Sequence, residues 1–178
     1  MPTIILIGCI VFIILGVTYV VCVTKIDKVE NKYRNESSTI DTFLWDIQHR
    51  LKKSGDIVEK YGIDPATIRD AESLGLGMPA SMQMKKLSDY MEHYQNLKLV
   101  DRSIITDEAD REEVIKYIKE IEQLRRELIA ETVAYNKSVN EYNGVISRFP
   151  YSFVAQRKRK STKSTFYYAF VPMEDEKI

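Results

Sequence analysis

Glycine and proline are scarce in this chain, at seven and five among 178 residues. A fold assembled from many tight turns needs more of both, so helices are favoured over a β-sandwich. Two cysteines and two histidines cannot furnish a four-cysteine zinc site or a disulfide framework. Net charge is missing too, because 26 Lys and Arg balance 26 Asp and Glu. That balance argues against a nucleic-acid binder working by global basic charge, and against an acidic disordered tail. No Gly-rich phosphate loop, G-x-S-x-G, H-E-x-x-H or C-x-x-C motif occurs. The expectation is a non-enzymatic protein with no catalytic residues, no metal ligands and no cofactor.

Charge is absent altogether from residues 1–24. The run Thr3–Val23 is rich in Ile, Val and Leu, and a bilayer core of about 30 Å needs roughly 20 helical residues. A cleavable signal peptide would carry a cationic start, a shorter apolar stretch and a small-residue cleavage site, none of which is present. Leu6-Ile7-Gly8-Cys9 resembles a lipobox only loosely, with no basic residue before it. The segment therefore reads as a single-pass anchor. Lys25, Lys28, Lys32 and Arg34 follow it, and the positive-inside bias places residues 25–178 in the cytoplasm with the short amino end outside. Cys9 and Cys22 then lie in the span as small apolar residues.

Beyond the anchor the pattern is helical. Ile26, Tyr33, Ile40, Ile47, Ser54 and Tyr61 recur every seven residues, with Leu44, Leu51 and Val58 interleaved. A 3.5-residue seam suits a bundle or coiled coil. Ser37, Ser54 and Gly55 are weak points where a bend is expected. Gly62 fits a helix C′ position, and Asp64-Pro65 resembles an N-cap followed by Pro at N1 of a short helix over 65–74. A further helix starts near Pro79, with Met84, Leu87, Met91, Tyr94 and Leu97 at helical spacing. Its methionines read as core packing rather than metal ligands, and His93 as a surface or packed histidine.

The last helix is expected from Thr106, as a hydroxyl N-cap, to Phe149-Pro150, since the residue before proline avoids helical geometry. Val114, Ile121, Leu128, Tyr135, Tyr142 and Phe149 form one row, and Ile118, Val139 and Ile146 the other, interrupted by Arg125 and Thr132. Arg125 reads as an edge charge with a buried stem. Tyr135 and Tyr142, with Asn136 and Asn143 beside them, predict buried phenols needing polar partners; a ligand or partner groove is the alternative.

The block Tyr135–Pro150, YNKSVNEYNGVISRFP, closely resembles the carboxy-terminal signature of the LemA family, a pattern of the form YN-x-x-V-x-x-YN-x-x-I-x-x-FP. Trp45 followed by Gln48–Lys53, and Asn96-Leu97-Lys98, resemble further family segments. Ser54–Val58 stands where the family has a Leu-Ile-Pro-Asn run, and Gln156–Lys160 replaces a Gly-Phe-rich stretch. The resemblance implies an anchored antiparallel helical bundle and brings no catalytic residues. Tyr135, Asn136, Tyr142, Asn143, Phe149 and Pro150 are the candidate partner-binding or structural residues.

The tail is basic, then aromatic: Arg157, Lys158, Arg159, Lys160 and Lys163, followed by Phe166, Tyr167 and Tyr168. Basic groups beside aromatics suit an anionic lipid surface, and these eight are the candidate lipid contacts. RNA is the rival, since aromatics stack bases.

The fold expected is all-α: an anchor over 1–24, an antiparallel bundle of about four helices over 25–155, and a tail over 156–178. The function expected is a membrane-anchored scaffold or adaptor in the cell membrane. Its partners would be lipids, other membrane proteins and a candidate second copy, with no specific nucleic acid. A tethered ligand- or RNA-binding accessory protein is the alternative.

Overall fold

Helix α1 runs without interruption over Pro2–Glu59 in a computed structural model of the chain, which describes residues 2–68 and 79–166. The remaining helices are α2 (Ala80–Leu99), α3 (Glu108–Ile146) and the short α4 (Tyr151–Arg157), with a 3₁₀ turn at Pro65–Thr67. Among the described residues there are no strands, so the chain is all-α.

Burial divides α1 in two. The stretch from Ile5 has a mean hydropathy of 2.9 over its most apolar 18 residues, and only 6% of that window is buried. Its Ile, Leu, Val and Phe side chains face outward all round, unlike those of a core helix, and the stretch is long and apolar enough to cross a membrane. From Cys22 onward one face is covered: Cys22, Ile26, Val29, Tyr33, Ile40, Leu44, Ile47, Leu51 and Val58 are buried. Alternating steps of three and four residues keep these positions on one face. Each such large apolar side chain contributes roughly 1.5–3 kcal/mol by leaving water. Cys22 therefore belongs to this buried seam rather than to the outward-facing segment, where Cys9 remains. Helical hydrogen bonding continues through Ser37, Ser54 and Gly55.

The chain forms two compact units, to both of which α1 and α3 contribute. One comprises residues 2–37 and 133–165; the other comprises residues 38–68, 79–132 and Phe166.

In the second unit α1 and α3 run antiparallel. Arg50 Nε meets Glu120 at 2.7 Å, and Lys60 meets Asp110 at 3.1 Å, so one number rises as the other falls. Tyr61 also donates to Asp110, at 2.8 Å. The end of α1 is a Schellman-type stop: Ile63 N–H reaches the Val58 carbonyl and Gly62 N–H that of Glu59. Gly62 holds φ 77, the left-handed conformation that this C′ position requires. Asp64 then accepts from Ala66 N–H, with Pro65 at N1 as expected. The segment it caps is a 3₁₀ turn ending at Thr67; the rest of the expected 65–74 helix lies outside the described residues.

Helix α2 buries Ala80, Gln83, Leu87, Tyr90, Tyr94 and Leu97. This seam differs from the expected one, because Met84 and Met91 are only half-buried flanks. Gln83 takes the inward position and donates to the buried Asp41 carboxylate at 2.6 Å, satisfying a polar pair that a methionine would leave open. Tyr94 donates to Glu122 at 2.9 Å. Burial and that carboxylate push its phenol well above the ordinary range. His93 and Asn96 both meet the Thr67 carbonyl, with Asn96 donating at 2.8 Å.

Helix α3 is capped by Asp107 rather than Thr106: the Asp107 carboxylate accepts from Ala109 and Asp110 N–H at 2.8 and 3.1 Å. A charged acceptor also complements the positive helix start. Val114, Ile121 and Leu128 are buried. Arg125 is buried as well, against expectation, and its guanidinium meets Glu122 at 3.3 Å. The Thr132 hydroxyl donates back to the Ile129 carbonyl.

Candidate functional site

The Tyr-Asn repeat lies in the first unit, on the part of α3 that faces the start of α1's buried seam. Tyr135 and Tyr142 are buried there beside Ser138 and Val139. The Tyr142 ring packs on Tyr33 of α1, with centroids 4.9 Å apart and planes tilted by 59°. Lys25 and Lys32 of α1 flank Glu141 at 3.9 and 3.2 Å.

The partners of the repeat come from the chain itself. Residues 161–164 lie along α3 as an irregular strap. Asn143 holds it at both polar groups of one residue: its Nδ2 donates to the Lys163 carbonyl at 2.8 Å, and its Oδ1 accepts from Lys163 N–H at 2.8 Å. The Tyr142 hydroxyl donates to the Ser161 carbonyl and that of Tyr135 to the Ser164 carbonyl, each at 3.3 Å. A strap without helical bonds leaves its backbone groups to be satisfied from outside, and the repeat supplies the partners. The phenols thus have polar partners, as expected, but these are strap carbonyls rather than the adjacent asparagine side chains. Asn136 is half-buried alongside.

The strap enters over an ion cluster on α1. Glu30 is buried, and its Oε1 accepts from Arg34 Nε and Nη2 at 3.1 and 2.7 Å. Lys160 donates to the other oxygen, Oε2. Burial pushes the Glu30 carboxyl up, but the hydrogen bonds and charges of Lys160 and Arg34 outweigh it and hold the group below the usual range. Next door, burial together with the Glu30 charge pushes the Tyr142 phenol up to about 12. Lys158 pairs with Asp27 at 3.5 Å.

This geometry gives several of the expected lipid contacts of the tail partners within the chain. Lys158 and Lys160 are engaged with α1, the Lys163 backbone is clamped by Asn143, and Phe166 is buried. Ion pairing occupies Lys158 and Lys160 and burial occupies Phe166, while the Lys163 side chain stays exposed. Arg157 and Arg159 remain exposed, while Tyr167 and Tyr168 lie outside the described residues.

The end of α3 also differs from expectation. The helix stops at Ile146, one turn before Pro150, and Phe149 leaves the seam to stand 86% exposed. Pro150 removes a donor and restricts Phe149, and the Ser147 hydroxyl takes the Asn143 carbonyl at the last turn. Half-buried Pro150 then leads into α4, which buries Val154 and Ala155. Helix α4 was missed because its seven residues are too few to show a period. Its one sequence signal was Pro150 itself, which suits the start of a new helix as well as the end of an old one.

Among the described residues no three His, Cys, Asp or Glu side chains converge as a metal site would require. The arrangement is suited to holding the strap and the two long helices together. Comparison with protein-family models, with curated proteins and with solved structures yields no match for this chain.

Proposed function

We propose that the protein is a non-enzymatic scaffold or adaptor, anchored in the cell membrane by residues 3–21 and presenting its helical body to the cytoplasm. The observation that carries this reading is the continuity of α1. One unbroken helix passes from a stretch that is apolar and exposed on every side to a stretch buried on a single face. Such a helix ties the first unit to the bilayer. Orientation rests on Lys25, Lys28, Lys32 and Arg34, which follow the apolar stretch. The resemblance of Tyr135–Pro150 to the LemA signature supports the same anchored helical architecture.

The Tyr-Asn face argues for a structural role over a ligand groove, since residues 161–164 occupy it. Lipids, other membrane proteins and a second copy of the chain are the partners this reading implies. Paired reporters fused after Ile178 test it, one active only in the cytoplasm and one only outside. The cytoplasmic reporter is expected to be active and the other silent; the reverse pattern would overturn the orientation.

A further inference from the structure

Among the described residues of the first unit, two phenylalanines stand exposed outside the α1 apolar stretch, Phe149 at 86% and Phe153 at 63%, with Val133 of α3 exposed at 66%. The phenylalanines stand four residues apart, at the turn between α3 and α4 and on α4 itself, with exposed Arg148 and Arg157 on either side.

Their height along α1 follows from the pairings around them. Lys158 meets Asp27 and Lys160 meets Glu30, so the chain climbs α1 away from the apolar stretch as it leaves α4. It then meets Tyr142 at Ser161 and Tyr135 at Ser164, so rising numbers on α1 correspond to falling numbers on α3. The carboxy-terminal end of α3 therefore points towards the apolar stretch. With Tyr142 packed on Tyr33, the four residues from Tyr142 to Ile146 descend about 6 Å at 1.5 Å per residue, to about the level of Val29, and Phe149 follows beyond the helix end. Helix α4 leads directly into the Lys158–Asp27 contact near the lower end of α1's buried seam. Outward-facing Val20 and Val21 lie six to seven residues before Asp27 on α1, about 9–11 Å further down.

We infer that Phe149 and Phe153 dock into the lipid interface, forming with Arg148 and Arg157 a second membrane contact beside the α1 anchor. This inference rests on the anchored reading above. Two observations select lipid as the occupant. The aromatic pair stands at the end of the first unit towards which the apolar stretch of α1 runs, on the side where acyl chains would give way to headgroups. Its flanks are cationic, matching anionic headgroups, and apolar rings beside basic groups are the composition that interfaces favour. Two contacts fix the tilt of the first unit on the bilayer, which one helix leaves free.

The test uses the full chain in phosphatidylcholine–phosphatidylglycerol vesicles, with or without bromine on the upper acyl chain. Trp45 is the only tryptophan, so W45F gives a dark background for F149W, F153W and the anchor control V17W. Both phenylalanine positions are exposed, so the indole fits without repacking, and circular dichroism checks the helix content. Brominated lipid should quench all three emissions, with V17W lost most. Quenching of V17W alone would overturn the inference and leave the anchor standing. A blue-shifted but unquenched F149W or F153W emission would assign the face to protein and also overturn it. No quenching at any of the three would overturn both the anchor and the inference.

Discussion

Replacing Asn143 with alanine should release the strap while leaving the helices folded. The side chain makes two hydrogen bonds to one residue, Nδ2–H to the Lys163 carbonyl and Lys163 N–H to Oδ1, each 2.8 Å long. A net hydrogen bond contributes roughly 0.5–1.5 kcal/mol, and water can reach this exposed pair, so the low end applies. The two together give about 1–2 kcal/mol, which raises the open fraction of the strap by about 5- to 30-fold. Hydrogen exchange at the Lys163 amide, measured on the full chain in detergent micelles, reads that fraction directly. N143A should speed exchange at Lys163 by this factor while amides at Leu128 and Ile121 keep their rates. N143D retains the acceptor for the amide and loses the donor to the carbonyl, so its protection should fall between. If Lys163 exchanges equally fast in the parent and in N143A, the clamp does not hold the strap and the structural reading of the repeat fails.

The other expectations concern stability. I121A removes most of a fully buried side chain and should cost about 2–5 kcal/mol in denaturant unfolding; a near-zero cost would refute the seam. Glu30 has its folded pKa held below the ordinary 4.5, so its contribution is present above that value and is lost as pH falls through the folded pKa. Melting temperature should therefore drop on acidification below about pH 4.5, and E30Q should flatten that drop while costing about 1.5–3 kcal/mol at pH 7. G62A meets open space but forces a Cβ into φ 77, so it should destabilise by about 1 kcal/mol through backbone conformation alone.

Much of the architecture was legible because long helices repeat their message. The seam of α1 from Ile26 to Val58 and the row Val114–Ile121–Leu128–Tyr135–Tyr142 of α3 are buried as their spacing implies. What the pattern missed was short or polar. Gln83 won an inward place through a hydrogen bond to Asp41, and Arg125 went inside with Glu122, choices that hydropathy cannot rank. Phe149 kept the seven-residue period after the helix carrying it had ended, so periodicity placed it inside when it lies outside. The strap was invisible for another reason. Its bonds join residues 19 to 29 apart and use backbone groups, which every residue offers alike. The side chains that seize it, Tyr135, Tyr142 and Asn143, stood out in the sequence, but their partner did not. Without that partner, Lys158 and Lys160 read as free cations although Asp27 and Glu30 hold them.

The central claim is that the apolar start of α1 stays attached and spans the membrane as part of one helix with the body. Alkaline carbonate extraction of membranes from cells making the full chain, followed by intact-mass measurement of the pelleted protein, tests it most directly. The account predicts that the protein stays in the pellet at the mass of the full 178-residue chain. A species released to the supernatant, or one shortened by removal of the first two dozen residues, would contradict it.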